Sequence, residues 1–215
     1  MNDPYFFMTV LAPSFVLLPV IVAFYHYRYL PAEGRMLLWY LLAEVLILSA
    51  SSALAFYKQP NTALYHVATV LETVLLLLFF KIIFNKRKIG LLIQWAIFLF
   101  PLLALLNTWL LQPLNSFNSY PITLQFGLMI ILCFTYWFQV PENASRSWIT
   151  EPLNWIISGM LLYFSGSFVL FAFSNYIITH FSKQTSIIIW NVHAGLSVVM
   201  YIFMALGFAR YKTHE

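Results

Sequence analysis

Long apolar stretches alternate with short polar breaks along the whole chain. They run at about 6 to 27, 36 to 56, 62 to 84, 89 to 111, 121 to 140, 152 to 179 and 187 to 209. Each is long enough to carry a helix across a hydrocarbon layer ~30 Å thick, which takes ~20 residues. The breaks LPAEGR, YKQPN, NKRK, QPLNSFNSYP, PENASRSWIT and FSKQTS are rich in the Pro, Asn, Gly and Lys that end helices. Membrane-spanning strands would instead be ~10-residue segments of alternating polarity, and none of these runs alternates. The pattern predicts an all-α, polytopic membrane protein, a single domain over residues 1–215 made of seven transmembrane helices. The first stretch reads as a retained anchor: its flank MNDPYFF carries Asp3 and no Lys or Arg, and no small-x-small cleavage site precedes Tyr25 to Arg28.

Composition agrees. At 62% hydrophobic and 8% charged, with mean hydropathy +0.82, the chain lies far from soluble domains, where charged residues make up ~25%. Seven spans leave only short connections, so a soluble catalytic or nucleic-acid-binding domain is excluded. The single Cys133 rules out an internal disulfide and any multi-cysteine metal site.

Basic residues beside spans are held on the cytoplasmic side. Arg28, Arg35, Lys81, Lys86, Arg87, Lys88, Arg146, Arg210 and Lys212 fall on one side, and only Lys58 and Lys183 of the 11 fall on the other. This predicts a protein of the cytoplasmic (inner) membrane with its N-terminus outside and its C-terminus inside. Trp39, Trp95, Trp137, Trp148 and Trp155 cluster near the basic side, with Trp109 and Trp190 near the other, as interfacial belts require. The sequon Asn143-Ala144-Ser145 then lies on the cytoplasmic side and is expected to stay unmodified.

An odd number of spans lets the first and last three run parallel, a 3+1+3 repeat. Trp39 is followed by Ser49-Ala50-Ser51 at the same offset as Trp155 by Ser165-Gly166-Ser167. Small residues that let helices pack closely explain the match equally well.

An ionisable side chain at mid-helix costs ~2.5 to 3.5 kcal/mol on insertion scales, so each needs a function or a partner. Glu44 and Glu72 are the two such acids, about 12 Å and 15 Å from opposite faces at 1.5 Å per residue. The short 57–61 connection makes their helices antiparallel neighbours, so the two carboxyls are placed to face each other and share a proton. Helical spacing puts Tyr40, Glu44 and Ser51 on one face, Tyr65, Thr69 and Glu72 on another, and His193, Ser197 and Tyr201 on a third. Three polar stripes point to a shared interior; the plainer account is interhelical hydrogen bonding alone.

His66, His180 and His193 lie at similar depth on the outer side. Three imidazoles suffice for zinc and two for a haem, but no H-E-x-x-H, H-x-x-E-H or C-x-x-C-H spacing occurs. Neither a metal nor any other cofactor is expected.

A retinal protein would need a lysine in the middle of the last span, and Ile187 to Ala209 has none. The Pro-Gln pairs of sugar-transporting 3+1+3 proteins are missing, and no Asp lies in a span to complete the zinc site of ceramidase-type hydrolases. Tyr65-His66 with Glu72, Pro152-Leu153-Asn154-Trp155 with Tyr163-Phe164-Ser165-Gly166, and Trp190-Asn191-Val192-His193 running to Tyr201 resemble small seven-helix membrane proteins of Bacteroidota-like bacteria, which look like the sensor part of histidine-kinase systems. The resemblance implies a receptor with its N-terminus outside and a separate cytoplasmic partner such as a histidine kinase; it supplies no ligand-binding or catalytic residue.

Three function classes follow. A sensor would bind a small or lipid-like ligand in the outer half of the helices, near Glu72, Glu44, Tyr65, Thr69, His66, Asn191, His193, Ser197, Tyr201 and Tyr40, and signal to that partner. A proton-coupled transporter would use Glu44 and Glu72 as its coupling pair. An intramembrane enzyme would need a nucleophile or metal beside a base, and no catalytic residue is singled out.

Overall fold

The computed structural model describes residues 4–85, 88–139 and 148–211. Lys86, Arg87, Arg146, Lys212 and the sequon at Asn143 lie outside the described residues. Seven helices are long and apolar enough to cross a membrane: α1 Phe7–Tyr25, α2 Ala32–Phe56, α3 Thr62–Ile83, α4 Lys88–Leu110, α5 Ser119–Gln139, α6 Pro152–Ala172 and α7 Lys183–Arg210. This is an integral membrane protein. Its helices carry large apolar side chains that no protein neighbour covers: Ile21, Leu46, Leu92, Phe98, Leu105, Ile131 and Val169 are each more than half exposed. In water such a surface would drive aggregation; in a bilayer it faces chains as apolar as itself.

Two of the apolar stretches are less regular than hydropathy suggests. α1 opens as a π-helix over Phe7–Leu11 and is interrupted near Phe15 before resuming at Leu17–Tyr25. Pro19 has no N–H to give the Phe15 carbonyl, and the Leu18 N–H takes that carbonyl instead, at 3.0 Å. The sixth stretch, 152 to 179, is two helices: α6 ends at Ala172, and a short helix Ser174–His180 follows. No Pro or Gly marks this break. The buried Ser174 hydroxyl donates to the Phe171 carbonyl at 2.9 Å, a side-chain bond that competes with the backbone ladder and kinks helices.

α2 ends in a motif that satisfies its last carbonyls. Gln59 N–H bonds Leu54 O at 2.8 Å and Lys58 N–H bonds Ala55 O at 3.0 Å, the paired bonds of a Schellman ending. Lys58 holds the left-handed position at φ 55°, where a Cβ costs ~1–2 kcal/mol. Lys58→Gly should therefore raise stability by about 0.5–1 kcal/mol after the glycine's own entropy cost, and Lys58→Val should lower it, both read by thermal unfolding in one detergent.

The residues group into two compact units, Pro31–Gln125 and Met1–Leu30 with Phe126–Glu215. The first contains α2, α3 and α4 and the opening turns of α5. In it α3 packs on both α2 and α4, and its two ends differ in character. Toward Pro31 and Phe84 the interior is dry: Leu37, Leu38, Leu41, Leu76, Leu77, Phe79, Phe80 and Phe84 are all buried. Phe80 stacks on Phe84 at 6.2 Å and meets Phe79 edge-on at 5.1 Å. Toward the 57–61 and 111–118 connections the buried side chains include Ser51, His66, Thr69, Asn107, Gln112, Asn118 and Ser119.

The second unit is built on α6 against α7, with α1 also against α7. Glycines set the closeness of that pairing. A Cβ at Gly207 would lie 2.6 Å from Ile156 Cγ1 and 2.8 Å from the Pro152 carbonyl, and one at Gly159 would lie 2.5 Å from Phe203 Cβ. At the Arg210 end, Trp137, Trp148, Trp155 and Phe203 form a run of rings with successive centroids 5.2–6.2 Å apart. The Arg210 guanidinium sits 4.3 Å from the Trp155 ring centre.

Candidate functional site

The two acids meet within the first unit. Glu44, on α2, is buried; Glu72, on α3, is half-buried. Their carboxyls are close enough for their charges to interact, and Tyr40, one turn from Glu44 on α2, donates a hydrogen bond to it. Glu72 Oε2 accepts from Gln125 Nε2 at 3.4 Å. Each carboxyl thus has a neutral donor beside it. Two carboxyls held this way in a medium of low dielectric favour sharing one proton over ionising together.

From Glu72 toward the 111–118 connection, α3 presents hydroxyls that are used on the way. Thr73 Oγ1 donates to Thr69 O at 2.6 Å, and Thr69 Oγ1 donates to Tyr65 O at 2.8 Å. The Tyr65 hydroxyl pairs with Ser51 Oγ of α2 at 3.1 Å, and Ser51 Oγ also accepts from Asn61 Nδ2 at 2.9 Å. The stripes Tyr40–Glu44–Ser51 and Tyr65–Thr69–Glu72 therefore lie together in one unit, joined by the Ser51–Tyr65 hydrogen bond.

His66 uses both ring nitrogens. Nδ1 pairs with Thr108 Oγ1 of α4 at 2.9 Å and Nε2 with the Ser116 carbonyl at 3.1 Å. The 111–118 connection turns two of its side chains inward, Gln112 and Asn118, while Leu111, Pro113, Leu114 and Asn115 stay exposed. Gln112 Nε2 donates to Ser119 Oγ at 2.8 Å, while Gln112 Oε1 accepts from Asn107 Nδ2 at 3.1 Å and from the Tyr120 N–H at 3.2 Å. Asn118 Nδ2 donates to Thr69 Oγ1 at 2.8 Å and to Tyr65 O at 3.2 Å. Tyr65, His66 and Thr69 on α3 are thus capped by side chains and carbonyls of a buried amide network and the connection that carries it.

The third stripe belongs to the second unit. His193 Nδ1 pairs with Ser167 Oγ of α6 at 2.9 Å, and the imidazole is surrounded by Phe171, Tyr163 and Trp190 at ring distances of 4.9, 5.4 and 6.1 Å. Ser197 bonds the Ala194 carbonyl on its own helix at 2.8 Å, and Tyr201 is buried. Asn191 keeps a buried side-chain oxygen without a hydrogen-bond partner. His180 is exposed, stacked 4.2 Å from Tyr176 and bonded to Thr179 Oγ1 at 2.7 Å. Among the described residues no three His, Cys, Asp or Glu side chains gather as a metal-holding group.

Gln125, Asn107, Gln112, Asn118 and Ser119 were not singled out by sequence. Gln125 had a readable signal, an amide in the middle of an apolar span. Asn107 had the same signal near the end of its span, whereas Gln112, Asn118 and Ser119 did not, because residues in a polar break between spans are expected in water. No family model matches the chain, and no curated protein or solved structure is found similar to it.

Proposed function

We propose that this protein is a membrane-embedded sensor whose stimulus is registered as a change of protonation at the Glu44–Glu72 pair and passed to a separate cytoplasmic partner such as a histidine kinase. The observation that carries the reading is the carboxyl pair placed between a polar half and a dry half of one unit. Buried hydroxyls and amides lead from the 111–118 end toward Glu72, while Phe79, Phe80 and Phe84 fill the other end. With the basic residues inside, the polar end faces outward, so the pair answers to the outer side. α2 and α3 each carry one carboxyl, and a change in their repulsion shifts these helices relative to each other, the displacement a partner reads at Arg35 and Lys81.

Proton-coupled transport is the second reading, favoured by the same pair. A carrier must also open the Phe79–Phe84 end, and that requirement separates the two. In liposomes with a pH dye inside, the sensor reading expects proton uptake by the protein after an external pH step and no sustained proton flux. Sustained flux stimulated by a co-substrate would replace it with the carrier reading, and no protonation change at all would remove both.

A further inference from the structure

Two buried side-chain oxygens in the amide network, Asn107 Oδ1 and Asn118 Oδ1, have no hydrogen-bond partner, although both residues are more than nine-tenths buried, Asn107 at 7% and Asn118 at 1% exposed. Exchanging the oxygen and nitrogen of either amide does not resolve this. The Tyr120 N–H can only donate, so the Gln112 atom it meets is an oxygen. The Asn107 atom facing that same oxygen must then be Nδ2. At Asn118, the Thr69 hydroxyl already gives its proton to the Tyr65 carbonyl, so both groups facing the Asn118 amide accept, and only Nδ2 belongs there.

Asn118 also lacks the usual remedy for its position. Its carbonyl accepts from Ile122 N–H at 3.3 Å, which makes it the residue capping α5, and such an asparagine normally turns its side-chain oxygen onto the N–H two or three residues on. Two residues on, the Tyr120 N–H is taken by Gln112. Three residues on stands Pro121, which has none. Gln112 therefore caps α5 in place of Asn118, and the Asn118 oxygen is left for another donor.

We propose that ordered water occupies the amide network at Asn107 Oδ1 and Asn118 Oδ1. Water suits the chemistry because both atoms accept, the surroundings are polar, and no carboxylate belongs to the network itself to select a cation. An Asn118-bound water lies beside Thr69, one turn of α3 from Glu72, and would bring the polar end of the unit closer to that carboxyl. Its bearing on Glu72 rests on the sensing reading; the hydration itself does not.

The test uses the full chain in lipid bilayers with ¹⁵N-labelled asparagine. Magnetisation is transferred from water to side-chain amides and followed by solid-state NMR. Asn154 is the internal control: it is equally buried, but its oxygen accepts from the Tyr136 hydroxyl at 2.8 Å and its nitrogen donates to the Trp148 carbonyl at 3.1 Å. Asn107 and Asn118 should build up signal from water severalfold faster than Asn154. Build-up no faster than Asn154 overturns the proposal. So does a shift of both signals when sodium replaces choline at constant ionic strength, because that identifies a cation at these oxygens. Rapid build-up in a protein that shows no protonation change would leave the hydration standing and remove the sensing function.

Discussion

Glu72→Gln is expected to abolish the protonation response while leaving the protein folded. The amide has the size of the carboxyl and keeps an oxygen for Gln125 Nε2, so the packing of α3 is undisturbed. Stability should be unchanged or higher, since an amide escapes the burial cost of up to ~2.5–3.5 kcal/mol that a charge carries at mid-helix. Glu44→Gln should act differently: Glu72, the carboxyl bonded to Gln125 and nearer the buried amides, remains to take up a proton without the neighbouring charge, so the response persists with a displaced midpoint, whereas Glu44 left alone has no such access. The measurement is the protonated-carboxyl band in infrared difference spectra across a pH step, with thermal unfolding alongside. A Glu72→Gln protein with the wild-type response would show that the polar interior serves only the fold.

Gly207→Ala should be the most damaging small substitution in the second unit. In a bilayer the helices gain little from leaving lipid, and their association depends on close packing. A methyl at Gly207 meets the Pro152 carbonyl at 2.8 Å as well as Ile156, and backbone does not yield as a side chain does. A loss of about 1–3 kcal/mol is expected, the usual cost of overfilling a packed site. Gly159→Ala belongs in the same class because Phe203 Cβ, fixed to its own backbone, lies 2.5 Å away. Gly166→Ala meets only the Leu196 methyls, at 2.7 and 3.3 Å, and a rotamer change relieves it. Gly195 has nothing within 4 Å, so Gly195→Ala should gain about 0.5–1 kcal/mol of helix stability. The ranking is read from thermal unfolding midpoints in one detergent; equal midpoints for the alanine variants at 207 and 195 would refute it.

Hydropathy made the seven helices legible because a spanning segment has to be long and apolar whatever packs beside it. The packing of α2 on α3 was legible too, from a connection too short to let the two helices part. What escaped depends on which polar groups bond one another, which the order of residue types does not specify. The α6 break at Phe173 arises from one serine hydroxyl among apolar neighbours, which no window average registers. The inward turn of Gln112 in the 111–118 connection depends on Asn107, Gln112 and Ser119 satisfying one another, and a string of polar letters reads the same whether its groups bond to water or to each other. The histidines illustrate a related point: the sequence pattern puts His66, His180 and His193 at a similar depth, but depth is one coordinate of three, and each ring has its own local partners.

The dry end of the first unit also determines how this site experiences voltage. A membrane potential falls mainly across material of low polarisability, and a charge carried through all of it gains ~2.3 kcal/mol per 100 mV. If the amides are hydrated as proposed, with the rings of Phe79, Phe80 and Phe84 on the other side of Glu72, most of the drop would lie across the rings. On the proposed reading, a proton arriving through the amides would cross little of the field, leaving the carboxyl pair electrically close to one face although Glu44 and Glu72 lie well inside the apolar lengths of α2 and α3.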